Sequence, residues 1–406
     1  MPLQNKLKNI HINFNGCVAS NNFLKTFNSK PQKFNLTLTY DIENFIIKLT
    51  KKASIDLIKP KYNWIKYYEP EDHLNNLIKK IIDMKILNKE SSILGYSFKD
   101  ISTVDKFKNR GFKNCKTLHP KNHLNINTSN YGVETIESHF NKMDLNNKFK
   151  NIRADLFIVR HTFEHCYNLK KFIHQTKKIV NKNKYVLFEF PDCSRYFKNF
   201  DYTMLWEEHT YYFTIKTFEN LLFDNHFDIV FKKKYKYPLE DSIVFLVKKK
   251  NKKINTKKRF TEDRKTFLNI FKNYKLFLKK DINETHKIFL NYKKKFPKNK
   301  ISIYGAGHFT STFVYVYKLH KFIDYVIDDN KNKIKYYFPT GKIKIVSSSA
   351  LSKNKISICL LGIIPNNQKK VIQKNKKFTK YCKFFTIFKQ KSHQIKHYKN
   401  INKLYE

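Results

Sequence analysis

RADLFIVRHTFEHCYNLKKFIHQTKKIVNKNKYVLFEFPDCSRYFKNFDYTMLWEEHTYYFT, residues 153–214, is the stretch that decides the fold. Two apolar runs, Leu156–Val159 and Tyr185–Phe190, have the length and composition of buried strands, and a helical pattern over 167–181 separates them. Each run leads into groups able to move protons or hold polar ligands. Arg160, His161, Glu164 and His165 follow the first; Glu189, Asp192, Glu207, Glu208 and His209 gather around the second. In open α/β sheets ligands bind beyond the carboxyl ends of the strands, so candidate chemistry sits here.

Outward from this stretch the alternation continues. The run 91–96 reads as a strand, a helix follows near Thr103–Asn109, and 114–118 is strand-like. Residues 226–233 and 242–249 read as two strands joined by a turn containing Pro238. This pattern predicts a mostly parallel sheet flanked by helices, with an antiparallel pair at one edge. A basic charge run and a long amphipathic helix fill 251–298, and a second α/β unit starts at Lys300 with ISIYGAGHFT. The expected organisation is an amino-terminal module (1–75), a Rossmann-like domain (76–250), a linker with connecting helix (251–298) and a second Rossmann-like domain (299–406). The amino-terminal module contains the strand-like runs Phe34–Tyr40 and Asn44–Leu49, then an aromatic cluster of Tyr62, Trp64, Tyr67 and Tyr68.

Composition bounds the partners. With 406 residues, 41% hydrophobic and 16% aromatic, the chain has ample material for several cores and does not read as disordered. No apolar run approaches the roughly 20 residues that span a bilayer, and residues 1–16 lack the apolar centre of a signal peptide. A cytoplasmic location is expected. The net charge of +48 permits a polyanionic partner. Yet Lys, Asn, Ile, Phe and Tyr are enriched together while Gly numbers only 8, which is what an AT-rich coding bias produces. Arg is scarce and Lys is spread along the whole chain, so nucleic acid is not the preferred partner. Cys17, Cys115, Cys166, Cys193, Cys359 and Cys382 lie far apart with no C-x-x-C pair, which argues against a zinc framework or a disulfide scaffold. Nothing in the sequence sets the oligomeric state.

The motifs are more specific. Asp155 to His165 has the form D-x-x-x-x-x-H-x-x-E-H, Pro191-Asp192 closes the next strand, and GVETIESHF occupies 132–140. WEEHTYYFT (206–214) pairs an acid with a histidine at Glu208-His209. YGAGHFT (304–310) is followed by YVIDDNKNKIKYYFPTGKIKIVS (325–347). Together these segments resemble the class I S-adenosylmethionine-dependent methyltransferases, and among them the sugar C-methyltransferases with their C-terminal Rossmann-like domain. Glu208-His209 and Tyr212-Phe213 match that family's Y-H-E-H-x-x-Y-F segment, although Trp206 and Glu207 replace its first two residues. Asp328, Asp329, Asn330 and Lys333 match its carboxyl-terminal run. The four zinc cysteines of the family's amino-terminal module have no counterparts here. The resemblance therefore implies a degenerate module held by packing or partly loose, with no zinc and no metal ligand assigned.

The resemblance implies methyl transfer from S-adenosylmethionine to a carbon beside the ketone of a nucleotide-linked sugar, in a biosynthetic setting such as polysaccharide formation. Such a carbon must first lose a poorly acidic proton, which suits a histidine near neutrality. His209 is the expected base and Glu208 its orienting carboxylate. Glu164, His165, Tyr212, Gly305, Gly307 and Asp329 are expected at the substrate. Gly95, Asp100, His119, Arg160 and His161 are expected at the cofactor, although the turn Gly95–Asp100 has a single glycine and His119 stands where an acidic residue would hold the ribose. Two other readings fit the residues: a catalytically altered sugar-nucleotide-binding protein, and an RNA-associated basic protein.

Overall fold

Six strands form the central sheet, in the spatial order Asn114–Thr117, Ser92–Gly95, Ala154–Arg160, Val180–Asp192, Asp241–Lys249 and Phe227–Tyr235. The computed structural model describes residues 8–65, 68–145, 152–249, 261–353, 355–389 and 395–405. The basic run at 250–260 and Tyr67 of the expected aromatic cluster lie outside the described residues. The first four strands pair in parallel, and the last two add antiparallel. The sheet is therefore parallel-rich with an antiparallel edge. The period-two alternation of strand 154–160 splits its side chains between two layers. Leu156 and Ile158 pack on one side with Leu77 and Ile78 of helix Leu74–Asp83. Phe157 and Val159 pack on the other with Phe172 and Ile173 of helix Leu169–Ile179. The chain leaves strand 92–95 for one edge and returns on its other side as strand 154–160. A crevice opens at such a switch point.

The amino-terminal module is an antiparallel sheet of Ile10–Val18, Lys33–Asp41 and Ile46–Lys51. Its fourth strand comes from far along the chain: Tyr211 and Tyr212 pair with Lys48 and Ile47. Ile12, Leu38, Tyr40 and Leu49 share one core with Phe271 and Tyr274 of helix Thr261–Lys295 and with Phe313 and Tyr317 of the carboxyl-terminal unit. The long helix is thus a packed connector.

The carboxyl-terminal unit is a second six-stranded sheet, ordered Tyr337–Phe338, Ile343–Val346, Tyr325–Ile327, Lys300–Tyr304, Ile356–Leu361 and Lys383–Thr386. All its pairings are parallel except the edge strand Tyr337–Phe338. Among the described residues no helix is long and apolar enough to cross a membrane.

Candidate active site

Strand 154–160 ends at Arg160, whose partner in parallel register is Glu189. Both side chains are fully buried, and Arg160 Nε donates to Glu189 Oε2 at 2.6 Å. Ser242 Oγ donates to Glu189 Oε1 at 2.7 Å, and His161 Nε2 and His73 Nε2 lie 3.2 and 3.1 Å from the same oxygen. Burial alone would push the Glu189 carboxyl up, but this ring of cations and donors holds it well below the usual range. His161 turns the chain with φ of 45°, in the left-handed region that non-glycine residues rarely adopt. Burial opposes its charge, yet Glu69, Glu164 and Glu189 outweigh burial and raise its imidazole to about 10. His161 is therefore an imidazolium clasped by carboxylates.

The turn after strand 92–95 is built from its own side chains. Asp100 accepts from Ser97 N at 2.7 Å and from Arg160 N at 2.8 Å, and burial lifts its carboxyl to about 7. A Cβ at Gly95 would meet Asp100 Cβ at 2.9 Å, Val104 Cγ2 at 3.0 Å and Thr117 Oγ1 at 3.2 Å. The bare face of this glycine is used by protein atoms. Lys99 Nζ donates to the His161 carbonyl at 2.6 Å and pairs with Glu69 at 2.7 Å. His119 is exposed and caps helix Pro120–Leu124, its Nδ1 accepting from Asn122 N.

The 3-10 turn Phe163–His165 presents Glu164 and His165 to the segment carrying Glu208 and His209, and Thr210 Oγ1 donates to the Glu164 carbonyl at 3.2 Å. His165 Nδ1 bonds Glu134 Oε1 at 2.8 Å, both residues being buried. One donor atom each from Glu164, His165 and His209 lie within 4.8 Å of one another, as do those of Glu134, His165 and Glu208. His209 keeps part of its surface open. Burial, then the neighbouring His165, His308, Lys99 and His161, press its pKa well below the ordinary value, so its ring is neutral. Glu208 Oε1 accepts from Asn21 Nδ2 at 3.1 Å, which ties the acid to the amino-terminal module. Beside this cluster opens a cleft of about 350 Å³, lined in part by Tyr62, Phe98, Lys99, Tyr131, Glu134, His165 and Glu208.

The remaining expected residues lie apart from this cleft's lining. Tyr212, expected at the substrate, is fully buried, and its hydroxyl takes Trp206 N at 3.0 Å while donating to Trp206 O at 3.1 Å. Gly305 has φ of 104°, and a Cβ there would strike Ile363 Cγ2; Gly307 faces open space. Asp329 accepts from Tyr304 Oη at 2.7 Å and Ser348 N at 3.0 Å and pairs with Lys374. This second glycine turn still reaches the cluster, because His308 stacks on Trp206 at 4.3 Å between ring centroids. Glu134, Lys99, Glu69 and His308 were not singled out from the sequence. Three of them lie within the segments quoted above: Glu134 in GVETIESHF, Lys99 in the turn Gly95–Asp100 and His308 in YGAGHFT.

Residues 242–388 match the family model described as the C-methyltransferase C-terminal domain. Over this stretch the chain is similar to the C-methyltransferases. No curated protein matches the chain. Among solved structures, YcgJ of Bacillus subtilis is 9% identical with a TM-score of 0.28, the match covering 45% of this chain and all of that one. Phosphoethanolamine N-methyltransferase 2 of Haemonchus contortus, in complex with S-adenosylmethionine, is 11% identical with a TM-score of 0.28, over 72% of this chain and 68% of that one. A methyltransferase of Methanosarcina mazei is 10% identical with a TM-score of 0.25, over 41% and 96%. At such scores these likenesses decide nothing about the site.

Proposed function

We propose that the chain transfers a methyl group from S-adenosylmethionine to a carbon next to the ketone of a nucleotide-linked sugar. The observation that carries this reading is the neutral imidazole of His209, set beside the His165–Glu134 pair at the carboxyl ends of a parallel sheet. A neutral ring can accept a proton, and His165 lies close enough to share it. The ring centroids are 4.9 Å apart. Glu208 contributes negative charge near His165. Proton transfer by a placed base contributes on the order of 10²–10⁴-fold.

The cleft fits the cofactor in size, since ligand pockets run from roughly 300 to 1,000 Å³. Its chemistry fits as well. Lys99 and Glu134 on its wall, already paired with Glu69 and His165, would have to share their charges with the zwitterionic amino-acid end of the cofactor. Bound there, the cofactor would supply an electrophilic methyl sulfonium. The chain's own residues would then do the rest: the aromatic rim of Tyr62, Phe98 and Tyr131 limits water, and His209 holds the proton. Calorimetric titration with S-adenosylmethionine and S-adenosylhomocysteine tests the reading. Saturable binding weakened by Lys99→Met is expected; no heat at millimolar ligand removes it.

A second reading, a sugar-nucleotide-binding protein that transfers nothing, is favoured by one observation. At the first turn Lys99 is already committed to Glu69 and the His161 carbonyl, and the Gly95 face is filled by Asp100 and Val104. It predicts nucleotide-sugar binding without any cofactor binding, which the same titration reads.

A further inference from the structure

We propose that Glu164, His165 and His209 form a binding site for one divalent transition-metal ion. Their donor atoms already converge within 4.8 Å, and bonds of about 2.0–2.2 Å would draw them in by a small side-chain adjustment. The site rests on more than a cluster of acids. Glu164 is 2% exposed, and its Oε2 has no hydrogen-bond partner among the described residues, although its other oxygen lies 3.6 Å from His161 Nδ1. A buried carboxylate oxygen left without a donor is costly unless a cation meets it. The nearby cations leave Oε2 unmet: Lys99 sits on Glu69, and His161 is shared among Glu69, Glu189 and the other oxygen of Glu164.

The surroundings of His165 point the same way. Its Nδ1 faces Glu134 Oε1 at 2.8 Å, which leaves Nε2 with the lone pair that ligates metal. A carboxylate on the far nitrogen is how metal-bound histidines are usually oriented and made more basic. Two imidazoles and one carboxylate select zinc, iron, cobalt or nickel over magnesium or calcium. Sequence reading assigned no metal because these ligands carry no spacing signature: two are adjacent and the third follows 44 residues later in the chain (209 minus 165). The site stands without the proposed reaction. Its consequence for turnover rests on that reading: a metal would occupy the His209 lone pair needed for the proton, so the bound ion inhibits.

The test uses the full-length protein, treated with chelator and titrated with Co²⁺, without cofactor or substrate. Ligand-field absorption saturating at one ion per chain and abolished by Zn²⁺ is expected. Glu164→Gln and His165→Ala should each weaken binding more than ~100-fold, and Glu134→Gln by ~10–100-fold, as loss of an orienting carboxylate does. Glu90→Gln, on the exposed pair with Lys113, should leave binding unchanged. Should His165→Ala not fold, the near-isosteric Glu164→Gln still decides. Absent absorption at saturating Co²⁺, or equal affinity across the variants, overturns the site. Failed S-adenosylmethionine binding with an intact Co²⁺ site would sink the proposed reaction alone.

Discussion

Replacing Glu189 by Gln removes one negative charge while keeping the side chain's shape. In the folded protein that charge faces Arg160 at 2.6 Å, His161 at 3.2 Å and His73 at 3.1 Å, with the carboxylate and the guanidinium both at zero exposure. Arg160 retains the Pro70 and Lys99 carbonyls, and Glu71 at 3.6 Å, so its positive charge stays buried with weaker compensation. Breaking one partner of a buried pair costs about 3–5 kcal/mol. The amide can still accept from Ser242 Oγ, so the lower half of that range is expected. Urea unfolding followed by far-ultraviolet circular dichroism reads the loss, because the central sheet carries the network. The loss should also depend on pH. His161 is raised to about 10 in the folded chain, so its contribution is fully present below its unfolded value of 6.5 and disappears as pH rises through 10. Removing Glu189 should lower that upper limit. A destabilisation below about 1 kcal/mol, unchanged between pH 6 and 10, would refute the account of the network as a mutually dependent charge cluster.

His209→Ala should reduce turnover by about 10²–10⁴-fold with cofactor affinity nearly unchanged, measured by methyl transfer and by calorimetry; retained turnover refutes its role. Gly95→Ala should destabilise by about 1–3 kcal/mol, because its Cβ would press on Asp100 and Val104 from 2.9 and 3.0 Å; an unchanged melting temperature contradicts the close packing. His308 is pushed down to about 3, burial being the main cause, so its contribution is present above pH 6.5 and lost as pH falls toward 3. His308→Gln should flatten the acid limb of the stability profile, and an identical slope in the variant would show that the ring is not buried as described.

The central sheet was legible because burial wrote itself into the sequence. Strand 154–160 is apolar throughout its middle, and Pro238 marked the turn between the two antiparallel strands at the sheet's edge. The connecting helix over 261–295 and the carboxyl-terminal unit were legible for the same reason. Strand Ile10–Val18 was missed although Ile10, Ile12 and Phe14 alternate with His11, Asn13 and Asn15; the pattern is short and stops at Gly16, where the register shifts between Phe14 and Cys17. The pairing of Tyr212 with Ile47 was beyond reach, since no local pattern records a partner 165 residues away (212 minus 47). At the site, the histidines and acids around Arg160 and His209 were found by residue type. Glu134 and Lys99 were not, because one sits within an ordinary amphipathic helix and the other is a lysine among very many. What they contribute is set by which neighbour they meet: Glu134 by His165, Lys99 by Glu69.

The borrowed strand Tyr211–Tyr212 couples the reactive segment to the beginning of the polypeptide, and the Trp206–His308 stack couples it to the final third. A nascent chain emerging from the ribosome would hold the first sheet with its last ribbon absent, and then a completed ribbon with no lid above its indole. Competence is thus conferred late, when three separately encoded pieces have met. Products of interrupted translation, which lack the carboxyl-terminal end, would carry the ribbon without its stacking partner His308.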